Sequence, residues 1–292
     1  MPDLLPNQYE IGGVVFGDHT PIQSDDIRIG DADTRTGDRE NPGSDGGQMG
    51  RDFRDGRTLG LDLWSNVHSA AEIRPAWSAL NAAWSADVAR LTPRAVVPFR
   101  FRLEGSEAVV VYGRPRRWSP ASQRQRGTGM TEVVADFHTV DRLFYSDVER
   151  QVTLTLVTSG GGGITWPVTW PITWAPGGAR QDGLVNSGDK PTWPVITING
   201  PVAQPEVELV GTGRSLRLDM TIPANRTITI DTRPWARTIR RDDGASFRHT
   251  AKGAALADFQ LPVGQTVLRY SGTDMSGTSS CTVTWRDATE NP

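Results

Sequence analysis

Four histidines, His19, His68, His138 and His249, one cysteine, Cys281, and 34 carboxylates are the side chains through which this sequence could do acid–base, nucleophilic or metal chemistry. The histidines are scattered without a repeated metal-ligand spacing, so surface or structural roles are expected of them. Asp31, Asp33 and Asp38 invite a calcium loop, because hard cations prefer clustered oxygens. That spacing fails: an EF-hand pattern needs an oxygen ligand, a glycine and a glutamate where this chain has Arg35, Thr36 and Pro42. No Gly-x-Ser-x-Gly elbow, His-Glu-x-x-His pair or Walker loop occurs. Gly211-Thr212-Gly213-Arg214 opens like a dinucleotide loop but lacks the third glycine and a following helix, and Gly160 to Gly163 runs into Trp and Pro. Both read as turns. Carboxylates are numerous enough for a glycosidase pair to meet in space, yet no motif singles one out. Ten tryptophans could stack on sugars, but those beside proline are read as packing. No catalytic residue, cofactor or metal is expected.

Composition narrows the class further. A chain of 292 residues calls for two domains, and 37% hydrophobic with 22% charged residues describes a packed protein rich in turns, with 31 Gly and 20 Pro. The start, Met1-Pro2-Asp3-Leu4-Leu5-Pro6, has no basic-then-apolar leader, and no apolar run approaches the ~20 residues that span a bilayer, so no membrane role is expected. A lone Cys281 within Ser-Ser-Cys-Thr-Val-Thr-Trp can form no internal disulfide and is expected to be a strand residue in a fold built in a reducing cytosol. A formal charge of −3 argues against general nucleic-acid binding, which needs clustered cations on phosphates. Lys190 and Lys252 are the only lysines; the remaining cations are arginines, as in GC-rich coding, and arginine's planar fork also suits interfaces.

The elements that would position any site are mostly strands. Tyr9 to Gly17, Ile22 to Ile29 and Thr58 to Trp64 alternate as half-buried strands. Between them Asp25 to Arg57 is a polar excursion dense in Asp, Arg and Gly, too long for an ordinary connection. Trp77, Leu80, Trp84, Val88 and Leu91 recur at helical steps and predict one helix over about His68 to Arg90, with Pro75 in its first turn and the apolar stripe covering a sheet. Strands resume at Ala95 to Leu103, Glu107 to Tyr112, Thr131 to Phe137 and Val152 to Val157. After Gly160 a four-residue repeat, Thr165-Trp166-Pro167-Val168, Thr169-Trp170-Pro171-Ile172, Thr173-Trp174-Ala175-Pro176, excludes helix and reads as a semi-rigid junction. From Thr192 many short strands follow, as in a β-sandwich. The expected organisation is residues 1–157, a β domain with one helix; 158–191, the junction; and 192–292, the sandwich.

Three groups of residues, in order, resemble the distal tail protein family of long-tailed phages, in the branch of minor tail proteins from phages of actinobacteria. The first is Asn41-Pro42-Gly43-Ser44-Asp45-Gly46 with Met49-Gly50-Arg51-Asp52-Phe53-Arg54-Asp55-Gly56-Arg57, similar to the family's Pro-Gly-Arg-Asp-Gly turn with Ser44 in place of Arg. The second is Phe99-Arg100-Phe101-Arg102, Val111-Tyr112-Gly113-Arg114-Pro115 and Ala135 to Tyr145, similar to the close of a ring-forming domain with Arg142 in place of a proline. The third is Pro194 to Pro201, Thr227 to Thr232, Arg240 to Gly244 and Leu261 to Gly264, similar to a galectin-like sandwich.

The resemblance implies a mainly β protein: an N-terminal ring-forming β domain with one helix, then a C-terminal galectin-like β-sandwich splayed outward. It implies a virion protein of the tail tip, made in the host cytoplasm and not an enzyme. A homohexamer would join the tail tube protein to the hub or tail-associated protein, with the tape-measure protein as a further partner. The alternatives are a carbohydrate-binding adhesion module and, after it, a cell-wall hydrolase. Asp31, Asp33, Arg35, Arg39, Arg51, Asp52, Phe53 and Arg54 are the candidate ring-interface arm, and Trp166, Trp170 and Trp174 the candidate junction packing. Some of Asp25, Asp26, Asp31, Asp33 and Asp38 are expected to line or approach a central channel, where a wall of carboxylates would not adhere to DNA carrying about one charge per 1.7 Å.

Overall fold

A computed structural model describes residues 3–66, 70–120, 130–156, 180–274 and 276–292. The Trp-Pro repeat, with Trp166, Trp170 and Trp174, lies outside the described residues, as does His68. The chain is mainly β and packs into two compact units, Met1–Asp147 with Thr289–Pro292, and Val148–Ala288.

In the first unit one antiparallel sheet runs in the order Val14–Gly17, Gln8–Ile11, Val97–Arg102, Val109–Pro120, Met130–Thr139, Thr58–Asn66 and Gln23–Ser24. Its ends meet: the Gly17 N–H donates to the Ile22 carbonyl at 2.8 Å, so the sheet is a nearly closed barrel. Gly12 and Gly13, at φ of 57° and 82°, make the two-residue turn that the right-handed twist of the opening hairpin favours. Alternation puts Leu59, Leu61 and Leu63 inward on one strand, and Phe99, Phe101, Val133, Ala135 and Phe137 fill the same interior. Pro115 is tolerated at a register shift between Pro115 and Arg117, where the ladder needs no donor.

The helix Ala70–Ser85 closes this core. Ile73, Leu80 and Trp84 are buried, and the Trp84 ring meets Phe99, Phe137 and Trp118. Two expectations need correction. Pro75 lies inside the helix beyond its first turn, because the helix starts earlier than a proline-led start requires. The apolar stripe also ends at Trp84: Ala86 adopts the left-handed conformation, φ 46° and ψ 42°, and a second helix, Asp87–Leu91, leaves Val88 and Leu91 81% and 85% exposed. Periodicity continues through a break in the backbone that periodicity cannot register.

The second unit is a sandwich of two antiparallel sheets. One runs Arg150–Thr155, Ser280–Trp285, Val195–Asn199, Thr227–Asp231, Thr238–Arg241; the other runs Arg180–Asn186, Gly264–Thr273, Val202–Val210, Arg214–Leu218, Ala251–Gly253. Ile196, Ile198, Ile228, Ile230 and Val283 from the first meet Leu184, Val207, Leu209, Leu268 and Tyr270 from the second in one core. Cys281 sits in it, on the strand Ser280–Trp285. A boundary near residue 157 differs from the observed one. Arg150–Thr155 pairs along its length with Ser280–Trp285, and Thr289–Pro292 belongs with the first unit. Alternation marks a strand but does not reveal a partner far away in the sequence.

Candidate assembly interface

The polar excursion is a β-ribbon. It leaves the barrel after Arg28–Ile29, which pairs with Gly60 and Leu59 of the strand Thr58–Asn66. Its lower rungs are Thr34↔Arg54 and Arg35↔Phe53; its upper rungs are Arg39↔Gln48 and Glu40↔Gly47. The ribbon closes through the Asn41 N–H donating to the Gly46 carbonyl at 3.2 Å. Midway the strands cross on glycines: a Cβ on Gly50 would lie 2.2 Å from the Gly37 carbonyl oxygen, so only glycine fits. Beside that crossing the Asp38 carboxylate accepts the Gly50 N–H at 2.8 Å. Residues 33–40 and 42–54 are exposed throughout.

All eight predicted arm residues therefore stand on one exposed element, although not all as free charges. Arg35 pairs with Asp55 at 3.0 Å, and the Arg35 and Arg51 guanidinium carbons lie 5.9 Å and 5.1 Å from the Phe53 ring centroid. Asp31 accepts the N–H of its own successor, Ala32, and Asp33 offers its carbonyl to the Asp55 N–H. Asp25, Asp26, Asp31, Asp33 and Asp38 are all exposed, and Asp25 accepts the Trp64 indole N–H at 3.0 Å.

The ribbon's root was not legible in the sequence. Arg54 and Arg142 both donate to Glu290 Oε1, at 2.7 Å and 2.5 Å, while Arg57 Nη2 donates to the Glu290 carbonyl at 3.0 Å. The Arg57 guanidinium stacks over Phe144 at 5.1 Å, and its backbone locks to Thr139 through bonds of 2.7 Å and 2.8 Å. Next to Arg142, burial pushes the Asp141 carboxyl up to about 6 against the opposing pull of the Tyr145 hydroxyl, the Leu143 N–H and Arg142. Three arginines converge on the C-terminal segment and hold the base of an otherwise free ribbon. No motif could have announced this, since Glu290 is far from the arginines in sequence.

Other candidates have structural partners. His138 lies 3.3 Å from the Thr58 hydroxyl, and His249 stacks on Phe247. Among the described residues no group of three or more His, Cys, Asp or Glu could hold a metal ion. Asp25, Asp62, Trp64 and Glu132 line an open cavity of about 490 Å³ that brings carboxylates together. Hydrogen bonding to Arg28 holds Asp62 below the usual carboxylate range, the opposite of what a general acid needs, and Asp25 is engaged by Trp64.

These features define a class: a nearly closed β-barrel capped by a helix, bearing an exposed ribbon, followed by a two-sheet β unit and closed by the returning C-terminal segment. Three solved phage structures share this fold. The SPP1 Dit (gp 19.1) protein, described as a paradigm of the hub adsorption apparatus in phages infecting Gram-positive bacteria, matches with a TM-score of 0.58 at 16% identity over 96% of this chain and 98% of that one. A chain of the phage p2 baseplate in its activated conformation with Sr matches at 0.54 and 10% identity over 95% and 97%. The same baseplate with Ca matches at 0.52 and 11% identity over 95% and 97%. No family model and no curated protein sequence matches the chain.

Proposed function

We propose that this protein is a structural, non-catalytic virion component of a phage tail tip. Its first unit forms a homohexameric ring that joins the tail tube protein to the hub or tail-associated protein, with the tape-measure protein as a further partner. The observation that carries this reading is the exposed ribbon, fixed only at its root, on a barrel whose fold is shared with a Dit protein over nearly the whole of both chains. A two-stranded ribbon alone is marginal in water, and its unpaired edges are a template for another chain. A head-to-tail contact closes into a ring only when its rotation matches the symmetry, and an arm reaching round the neighbour holds that angle.

The second unit serves as the galectin-like outer domain, and Trp166, Trp170 and Trp174 pack the junction to it. The near-absence of lysine fits the actinobacterial branch. Some of Asp25, Asp26, Asp31, Asp33 and Asp38 approach the channel, a placement that fails if a ring structure puts all five on the outer rim. Two-dimensional class averages of the purified protein, alone and mixed with its tube and hub proteins, test the reading. Six-fold rings are expected. Monomers in every mixture, together with glycan-array binding lost on Trp-to-Ala substitution, would replace it with the adhesion module.

A further inference from the structure

The first unit carries two exposed apolar patches on different elements. One is on the ribbon, where Met49 is 89% and Phe53 50% exposed. The other is the helix Asp87–Leu91, where Val88 and Leu91, one turn apart, are 81% and 85% exposed. The second patch exists because Ala86, a residue with a Cβ, is held in the left-handed conformation and turns the following helix out of the stripe that buries Leu80 and Trp84. Backbone strain that moves two large apolar side chains into water is a reason to look for an interaction there.

A heterologous ring needs two unlike surfaces on each copy, one given and one received. The charges around the patches match as such a pair. The ribbon carries Arg51 and Asp52 next to Phe53; the helix carries Asp87 and Arg90 flanking Val88. None of these four charged groups has an ion pair among the described residues. From its root the ribbon reaches roughly 30 Å at about 3.3 Å per residue, enough to lie across a neighbour and exceed what two side chains alone can bury.

Resting on the ring reading above, we infer that the Asp87–Leu91 face receives the ribbon of an adjacent copy of this chain. Met49 and Phe53 seat on Val88 and Leu91, and Arg51 faces Asp87. The ribbon's own copy does not supply the contact, and no other partner is needed to cover the patch.

Cysteine pairing tests this directly, because Cys281 is buried and silent. The full-length Met49→Cys/Leu91→Cys variant, treated with a short bismaleimide, is expected to give a ladder reaching six chains on a denaturing gel, with neither single variant doing so. Leu91→Asp, with an unchanged circular dichroism spectrum, is expected to weaken ring association at least about tenfold. Rings that form normally with no Met49→Cys/Leu91→Cys product overturn this docking and leave the ring reading intact. Products from the single variants overturn it in favour of a two-fold contact. An unmodified chain that forms no ring in any mixture removes both.

Discussion

Replacing Arg100 by methionine perturbs a deeply buried charge cluster in the first unit. The Arg100 side chain is 4% exposed and Glu10 only 8%, whereas Asp147 is 22% exposed. Arg100 donates to Glu10 at 2.9 Å and grips both Asp147 oxygens at 2.7 Å and 2.5 Å. Removing one partner of a buried ion pair costs about 3–5 kcal/mol because a charge is left uncompensated. Glu10 keeps one donor, the Gly13 N–H at 2.8 Å, and Asp147 regains water, so the lower end, about 3 kcal/mol, applies here. That is about a 150-fold change in the opening equilibrium. Hydrogen exchange by mass spectrometry reads it locally: protection of the segment Val97–Arg102 falls by that factor, while Ser280–Trp285 in the second unit is unchanged. Replacing Glu10 by methionine as well restores protection to within about tenfold, since a buried pair exchanged for apolar groups is close to neutral. A single-variant loss below about tenfold, or an equal loss in both segments, refutes the reasoning.

Asp141→Asn should be stabilising at neutral pH. The folded carboxyl at about 6 lies above its ordinary 3.8, so the folded state holds the proton more tightly and stability falls as pH rises from about 4 to about 6, by up to about 3 kcal/mol. The wild-type minus variant difference in denaturant midpoint should widen across that window, and a flat difference contradicts the assignment. Burial pushes the Cys281 thiol up to about 12, so a thiol reagent at pH 8 should label the native protein only as the second unit opens; one equivalent in native buffer would be inconsistent with this. Alanine at Trp166, Trp170 and Trp174 together should loosen the outer domains in class averages while six-fold rings persist, and a selective loss of glycan binding would point to the adhesion reading.

Much of the barrel was legible because apolar residues recur at every second position on several of its strands. Leu59, Leu61 and Leu63, and Phe99 and Phe101, alternate with polar neighbours, and that period marks the strands and their inward faces. Trp77, Leu80 and Trp84 read as helix for the same reason at a different period. The ribbon was visible only as an anomaly of length and charge; its rungs are two residues long and wholly exposed, so no apolar pattern records them. Three features left no local trace. The left-handed Ala86 is a single backbone dihedral choice inside an unbroken apolar repeat. The pairing of Arg150–Thr155 with Ser280–Trp285, and the Glu290 contacts to Arg54, Arg57 and Arg142, join residues far apart in the sequence.

A ring held by the ribbon shows itself in the mass of the protein in solution. Light scattering should be run on the full-length chain and on a variant in which residues 31–55 are replaced by Asn-Gly, a turn that spans the Arg28–Ile29 and Thr58–Asn66 pairing left behind. Each is measured alone and with its tube and hub proteins. A six-chain mass is expected for the intact protein and a single-chain mass for the variant, with circular dichroism showing both folded. A ribbon-less variant that remains a stable hexamer, or an intact chain that stays monomeric with both partners present, contradicts it.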